Sequence, residues 1–269
     1  MVLNYSLSEV APYINWLYFY HAWGMSGKPE GEREHLRAEA EERLRYYEHS
    51  YQTHAVFQLF EAYSEGDDIV LENGVKIPCL RQQEVESDYL CLSDFVQSGH
   101  FGAKNGQNDT IGVFGTTVDA NLETDFEADP YAKLMMQLLA DRLAEATAER
   151  MHEEVRRQYW GYAKDEQLTL EEILKEKWQG IRPAVGYPSL PDTSLNFLID
   201  ELIDIQQIGI RLTESGAMKP HASVSGLMLS HPQARYFSIG KIGEDQLKDY
   251  AQRRGMNINE TRKYLQANL

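Results

Sequence analysis

The sequence predicts an α+β fold built on an antiparallel sheet. Asn73-Gly74 stands between two β-rich runs and marks a hairpin. Helical and strand patterns follow one another in mixed order instead of the regular β-α alternation of a parallel sheet. No stretch is long or polar enough to act as a linker, so residues 1–269 read as a single domain.

The elements follow in order. Residues 13–23 form an aromatic-rich run without a basic n-region or a small-residue cleavage site, and Asn15 and His21 interrupt it. It reads as a buried N-terminal segment and not as a signal peptide. The first clear helix covers 31–47, where Glu39/Arg43 and Glu41/Arg45 have the i,i+4 spacing of a solvated face. Residues 54–62 read as a strand, and 69–71 with 75–80 flank the hairpin turn, both of whose central residues are expected at positive φ. Residues 98–109 carry Gly99, Gly102 and Gly106 without the spacing or strand-to-helix context of a dinucleotide fingerprint, and read as a flexible loop. Residues 110–118 form the next strand. The longest helix starts after Pro130 and reaches about residue 159. Thr169 and Glu172 have capping-box spacing at the head of a short helix. A helix over 194–207, strands over 222–229 and 236–239, a helix over 244–253 and a last helix opened by Asn257 complete the reading.

Charge narrows the function. Lys plus Arg number 26 against 42 Asp plus Glu, a net charge of −16, which repels phosphate backbones and anionic membranes alike. Neither a nucleic acid nor a membrane is expected as partner. No run approaches the 18 apolar residues of a membrane span. Two cysteines, Cys79 and Cys91, make no disulfide framework and are too few for a cysteine zinc site, so a cytoplasmic location is the simplest reading. The sequence contains no Walker A loop, G-x-S-x-G elbow or H-E-x-x-H, and His152-Glu153 lacks the second histidine, so no metal site is expected.

Three features could carry chemistry. At about 100° per residue, Glu145 falls between Leu134 and Leu138, on the line of an apolar stripe. A carboxylate there is either structural, paired with an arginine or exposed where the helix outruns the core, or it faces a cationic ligand. Residues 182–191 (RPAVGYPSLP) exclude helix and central strand. They form either a rigid surface loop or a site: Arg182 offers a fork for a carboxylate, Gly186 permits close backbone approach, and Tyr187 offers a flat face and a hydroxyl. Those are the requirements of a zwitterionic ligand bearing an aromatic ring. Residues 222–237 read as core strands joined at His231-Pro232.

Specific strings repeat a known pattern: LRQQ at 80–83, ADRLAEA at 140–146, YWGYA at 159–163, GIRPAVGYP at 180–188, LTES at 212–215, ASVSG at 222–226, SHP at 230–232 and DYAQRRGM at 249–256. In order and spacing, nearly throughout the chain, they resemble the C-terminal activation domain of cobalamin-dependent methionine synthase, which binds S-adenosylmethionine. The resemblance implies a C-shaped α+β domain around a twisted antiparallel sheet flanked by helices. It implies that Arg182, Ala184, Gly186 and Tyr187 hold S-adenosylmethionine, that Glu145 and Glu176 lie near its sulfonium and polar groups, and that Tyr236 and Phe237 stand beside it. Asn15 occupies a position where the family usually carries Asp, which removes a charge expected to recognise the ligand's amino group. Leu190 and Thr193 replace a Cys and a His common in the family, and Phe237 lacks one hydroxyl.

The function so implied is reductive remethylation of cob(II)alamin in methionine biosynthesis. The chain is expected as a free-standing domain acting in trans, unable to make methionine alone, since nothing in it resembles the barrel modules for homocysteine and folate or the cobalamin module. Its partners would be the cobalamin-binding module of methionine synthase or another corrinoid protein, and an electron donor such as flavodoxin or ferredoxin. No residue need act as nucleophile or base, so no catalytic residue is assigned. The alternatives are a non-catalytic interaction module and a reactivator for another corrinoid methyltransferase. Because flavodoxin-type donors are often acidic, the charge of −16 leads us to expect basic residues near the ligand site or on the partner-facing side, or a different donor.

Overall fold

The computed structural model describes residues 1–84, 88–99, 101 and 108–269. Its strands are β1 (Val2–Ser6), β2 (Gln52–Glu65), β3 (Asp68–Leu71), β4 (Lys76–Pro78), β5 (Asp109–Val118), β6 (Arg211–Leu212), β7 (Met218–Lys219) and β8 (Ser223–Leu229). Its helices are α1 (Leu7–Val10), α2 (Trp16–Ala22), α3 (Glu30–Tyr46), α4 (Asn121–Thr124), α5 (Pro130–Glu154), α6 (Leu170–Leu174), α7 (Leu195–Ile203), α8 (Glu244–Arg254) and α9 (Ile258–Tyr264). One sheet runs in the order β4-β3-β2-β5-β8, with β1 also pairing with β2, and β6 and β7 pair separately. The fold is α+β, an antiparallel sheet flanked by helices. Among the described residues no helix is long and apolar enough to cross a membrane.

The chain divides into two compact units. The first comprises Met1–Phe57, Phe114–Trp178 and Ile199–Ser225. There β1 runs antiparallel to the start of β2, with Val2 opposite Val56. The long α5 organises the unit. Asp129 caps it, accepting from the amides of Tyr131 and Ala132, and Pro130 occupies the first turn, where a missing N–H costs nothing. The helix buries Met135, Met136, Leu139, Ala140, Leu143, Ala144, Thr147 and Met151. The Thr116 hydroxyl on β5 donates to the Ala144 carbonyl at 3.0 Å, tying this helix to the strand.

α5 ends in a π-helical turn, Val155–Tyr159, which turns the wholly buried Arg156 inward. The Arg156 guanidinium donates to both Glu166 oxygens through Nε and Nη2, the shortest contact being 2.6 Å. Its Nη1 lies 2.9 Å from His152 Nδ1, and the group sits 4.9 Å from the Trp178 ring centre. A charge this deep is tolerated only with such a set of partners. The YWGYA string begins inside this turn.

The second unit comprises Gln58–Val113, Gln179–Leu198 and Gly226–Leu269. β3 and β4 form the expected hairpin, with Ile69 opposite Ile77. Its turn differs from the sequence expectation. Gly74 alone has positive φ (+83°), because the Gly74 amide closes a turn on the Leu71 carbonyl and the Asn73 side chain accepts from the Val75 amide. This is a three-residue loop with one left-handed residue in place of a two-residue turn with two. The core here gathers Leu80, Ile239, Ile242, Leu247, Tyr250 and Leu265.

Residues 236–239 are not a strand. The Ile239 amide makes one bond, to the Pro188 carbonyl, and the proline-rich partner offers no ladder to extend it. The expected helix over 194–207 is α7 followed by a 3-10 turn, Ile205–Ile208. The loop expected at 98–109 falls largely outside the described residues.

Candidate functional site

The expected site residues fall in both units. In the first, a cavity of about 280 Å³ is lined by Asn15, Glu145, Glu149, Lys175 and Glu176, with the phenol rings of Tyr13 and Tyr18. Three of the nine expected residues, Asn15, Glu145 and Glu176, therefore meet at one cavity. The volume lies just below the roughly 300–1,000 Å³ typical of ligand pockets.

Glu145 does not lie on the apolar stripe as its helical angle suggests. Leu134 is 48% exposed, and the buried face of α5 runs instead through Met135, Leu139 and Leu143. Glu145 sits at the edge of that face with its side chain 34% exposed, and Arg142 Nη1 approaches its Oε2 at 2.7 Å. The structural reading holds, since the carboxylate is paired with an arginine, and the same carboxylate lines the cavity. Glu149, one turn further along, presents a second carboxylate that residue-by-residue reading missed. The signal was available, since residues 145 and 149 share a helix face.

Glu176 follows α6, which Thr169 and Glu172 open through the expected capping box. Its φ is +54°, the left-handed region that costs a non-glycine residue about 1 kcal/mol or more. Such strain gathers at functional positions. Asn15 caps α2, its Oδ1 accepting from the Leu17 amide at 3.2 Å. The Tyr13 hydroxyl donates to Glu153, and burial together with that contact pushes its pKa up to about 12, so the phenol is neutral at physiological pH. Three carboxylates against one lysine make the lining acidic. The basic cluster expected from the net charge is not at this cavity.

The other six residues lie in the second unit. Residues 180–191 begin as an edge pairing with β8. Ile181 exchanges backbone bonds with Leu229, the Leu227 amide donates to the Pro183 carbonyl, and Ala184 bridges Gly226. Gly180 makes this possible. Its φ is +88°, and a Cβ there would stand 2.2 Å from the Leu229 carbonyl oxygen. Beyond Ala184 the chain folds on itself: the Tyr187 amide donates to the Ala184 carbonyl, the Gly186 amide to Leu190 and the Leu190 amide to Tyr187. Much of this backbone is thus satisfied internally. Gly186 has φ +87°, and a Cβ there would meet only Thr193 Cγ2, at 3.4 Å. Its backbone conformation, and not crowding, is what demands glycine.

The Arg182 amide donates to the Tyr236 hydroxyl at 3.0 Å, so this tyrosine pins the loop's first residue. Tyr187 is about half exposed. Phe237 packs on the core cluster, its ring 6.3 Å from Phe95. The structure thus groups Arg182, Ala184, Gly186, Tyr187 and Tyr236 around one loop and turns Phe237 toward the interior.

Comparison with known proteins decides the family. Residues 6–255 match the family described as vitamin B12 dependent methionine synthase, activation domain. The chain belongs to this family. A solved structure, the crystal structure of the MetH reactivation domain bound to AdoHcy, is similar with a TM-score of 0.92 and 37% identity, over 100% of this chain and 90% of that one. The extent of these matches explains why strings as far apart as LRQQ and DYAQRRGM keep their order in this activation domain.

Proposed function

We propose that this activation domain binds S-adenosylmethionine and presents its methyl group to a cobalamin-bearing partner in trans, supporting reductive remethylation of cob(II)alamin on a methionine synthase. The observation that carries the reading is the family match over residues 6–255 together with a structural neighbour solved with AdoHcy; an acidic cavity at Asn15, Glu145 and Glu176 in one unit and, separately, a loop bearing Arg182, Gly186 and Tyr187 in the other supply the groups it needs.

In this reading Arg182 takes the ligand carboxylate, the tyrosines and the loop backbone take the adenosine, and the carboxylates lie toward the sulfonium. Cobalamin carried by the partner, once reduced there by the electron donor, would supply the nucleophile that takes the methyl group. Loss of that methyl turns the sulfonium into a neutral sulfide, so the carboxylates attract the ligand more before transfer than after. They act in binding and in selecting the charged ligand over its product, and the chain contributes position, not a nucleophile or base. The acidic lining leaves a flavodoxin-type donor to dock elsewhere, and a ferredoxin meets the same repulsion. The setting would be cytoplasmic methionine biosynthesis, with residues 1–269 acting as one domain.

Calorimetric titration with S-adenosylmethionine tests the reading: saturable binding is expected, and none at millimolar ligand removes the methyl-donor role. Asn15→Asp keeps an oxygen to cap α2 and adds a negative charge at the cavity. It is expected to tighten binding about three- to tenfold, since a carboxylate accepts from an ammonium more strongly than an amide does. Unchanged or weaker binding in the same titration contradicts that role for the position.

A further inference from the structure

The far end of the ligand loop is held by a buried polar network that none of the expected site residues belongs to. Asp192 directly follows Pro191 and is almost wholly buried. Its Oδ2 accepts from the Tyr250 hydroxyl at 2.8 Å and lies 3.4 Å from Arg254 Nε, and its Oδ1 accepts from the Ser194 amide at 2.9 Å. Arg254 closes the ring, its Nη2 donating to the Ser194 hydroxyl at 3.0 Å. Tyr250 and Arg254 both come from α8, and Tyr250 is fixed in the core beside Leu247 and Leu265. Burial and the neighbouring carboxylate hold the phenol protonated, so it stays a donor.

A buried carboxylate must keep its donors or move toward others. Here movement has a direct route to the loop. Thr193, the next residue, has its methyl carbon 3.4 Å from where a Gly186 side chain would begin. The loop's other end is already fixed on β8 and under Tyr236. The network therefore fixes the remaining end.

We propose that Asp192, Tyr250 and Arg254 are positioning residues: by clamping the loop's C-terminal end to α8 they set its affinity for S-adenosylmethionine. This rests on the functional reading above. It also gives the DYAQRRGM string, which contributes Tyr250 and Arg254, a role in ligand binding.

The test uses the full chain carrying Tyr250→Phe or Asp192→Asn. Binding of S-adenosylmethionine is titrated calorimetrically, and amide hydrogen exchange of residues 182–190 is followed without ligand. Arg81→Gln serves as control, because it breaks the Arg81 pairing with Asp67 and Asp94 in the same unit. Tyr250→Phe is expected to weaken binding about tenfold, the size of one hydrogen bond to a charged group, and to speed exchange in the loop. The control should lower thermal stability while leaving affinity and loop exchange unchanged. Affinity within twofold of the unmutated chain, unchanged exchange, or equal weakening in the control overturns the proposal. If Asp192→Asn does not fold, Tyr250→Phe decides alone. A blank titration of the unmutated chain is the distinct signature of failure of the functional reading, and the proposal falls with it.

Discussion

Arg182→Ala is expected to weaken S-adenosylmethionine binding by about 10- to 100-fold while leaving the fold intact. The magnitude follows from the loss of a charge-assisted contact with the ligand carboxylate, about 1.5–3 kcal/mol. The substitution leaves the backbone contacts that set the loop's course in place. The Arg182 amide donates to the Tyr236 hydroxyl, and the flanking Ile181, Pro183 and Ala184 are the residues paired with β8. Calorimetry with S-adenosylmethionine, accompanied by a melting curve, checks the result. An unchanged dissociation constant would remove Arg182 from the site.

The largest effect on stability is expected at Arg156. Arg156→Met removes a cation whose side chain has no exposure and leaves the Glu166 carboxylate, 8% exposed, without its main partner. Breaking a buried pair from one side costs about 3–5 kcal/mol. For a chain of this size that lowers the melting temperature by roughly 10 °C. The double variant Arg156→Met/Glu166→Leu removes both charges and is expected to recover most of the loss, since an apolar replacement of the whole pair costs little. Urea unfolding of the single and double variants distinguishes this from a simple packing defect, which the second substitution would deepen. A loss below about 1 kcal/mol in the single variant would show that the pair is dispensable.

What the sequence made legible was mostly local. The capping box at Thr169 and Glu172, the start of α5 at Pro130 and the breaks around 180–191 depend on residues a few positions apart, and each appears where the pattern put it. The failures are long-range. Helical angle alone placed Glu145 on the apolar stripe, yet which face of α5 is buried depends on the elements packed around it, and Leu134 turned out exposed. Residues 236–239 have strand-like composition, but the partner they meet is a proline loop that accepts a single bond. The left-handed Glu176 and the inward-facing Arg156 had no sequence signal, because one is a backbone outlier at a non-glycine residue and the other is created by a π turn. Of the candidate site, Asn15, Glu176, Ala184, Tyr236 and Phe237 rest on the family strings. Physical reading alone had reached Glu145, Arg182, Gly186 and Tyr187.

The central claim is most directly tested by reconstitution. The chain is mixed with a cob(II)alamin-loaded methionine synthase module, a low-potential reductant and S-adenosylmethionine, and the visible spectrum of the cobalamin is followed. The account predicts that methylcobalamin appears only when all four components are present. Equal methylcobalamin without the chain, or none with the full mixture, would contradict it.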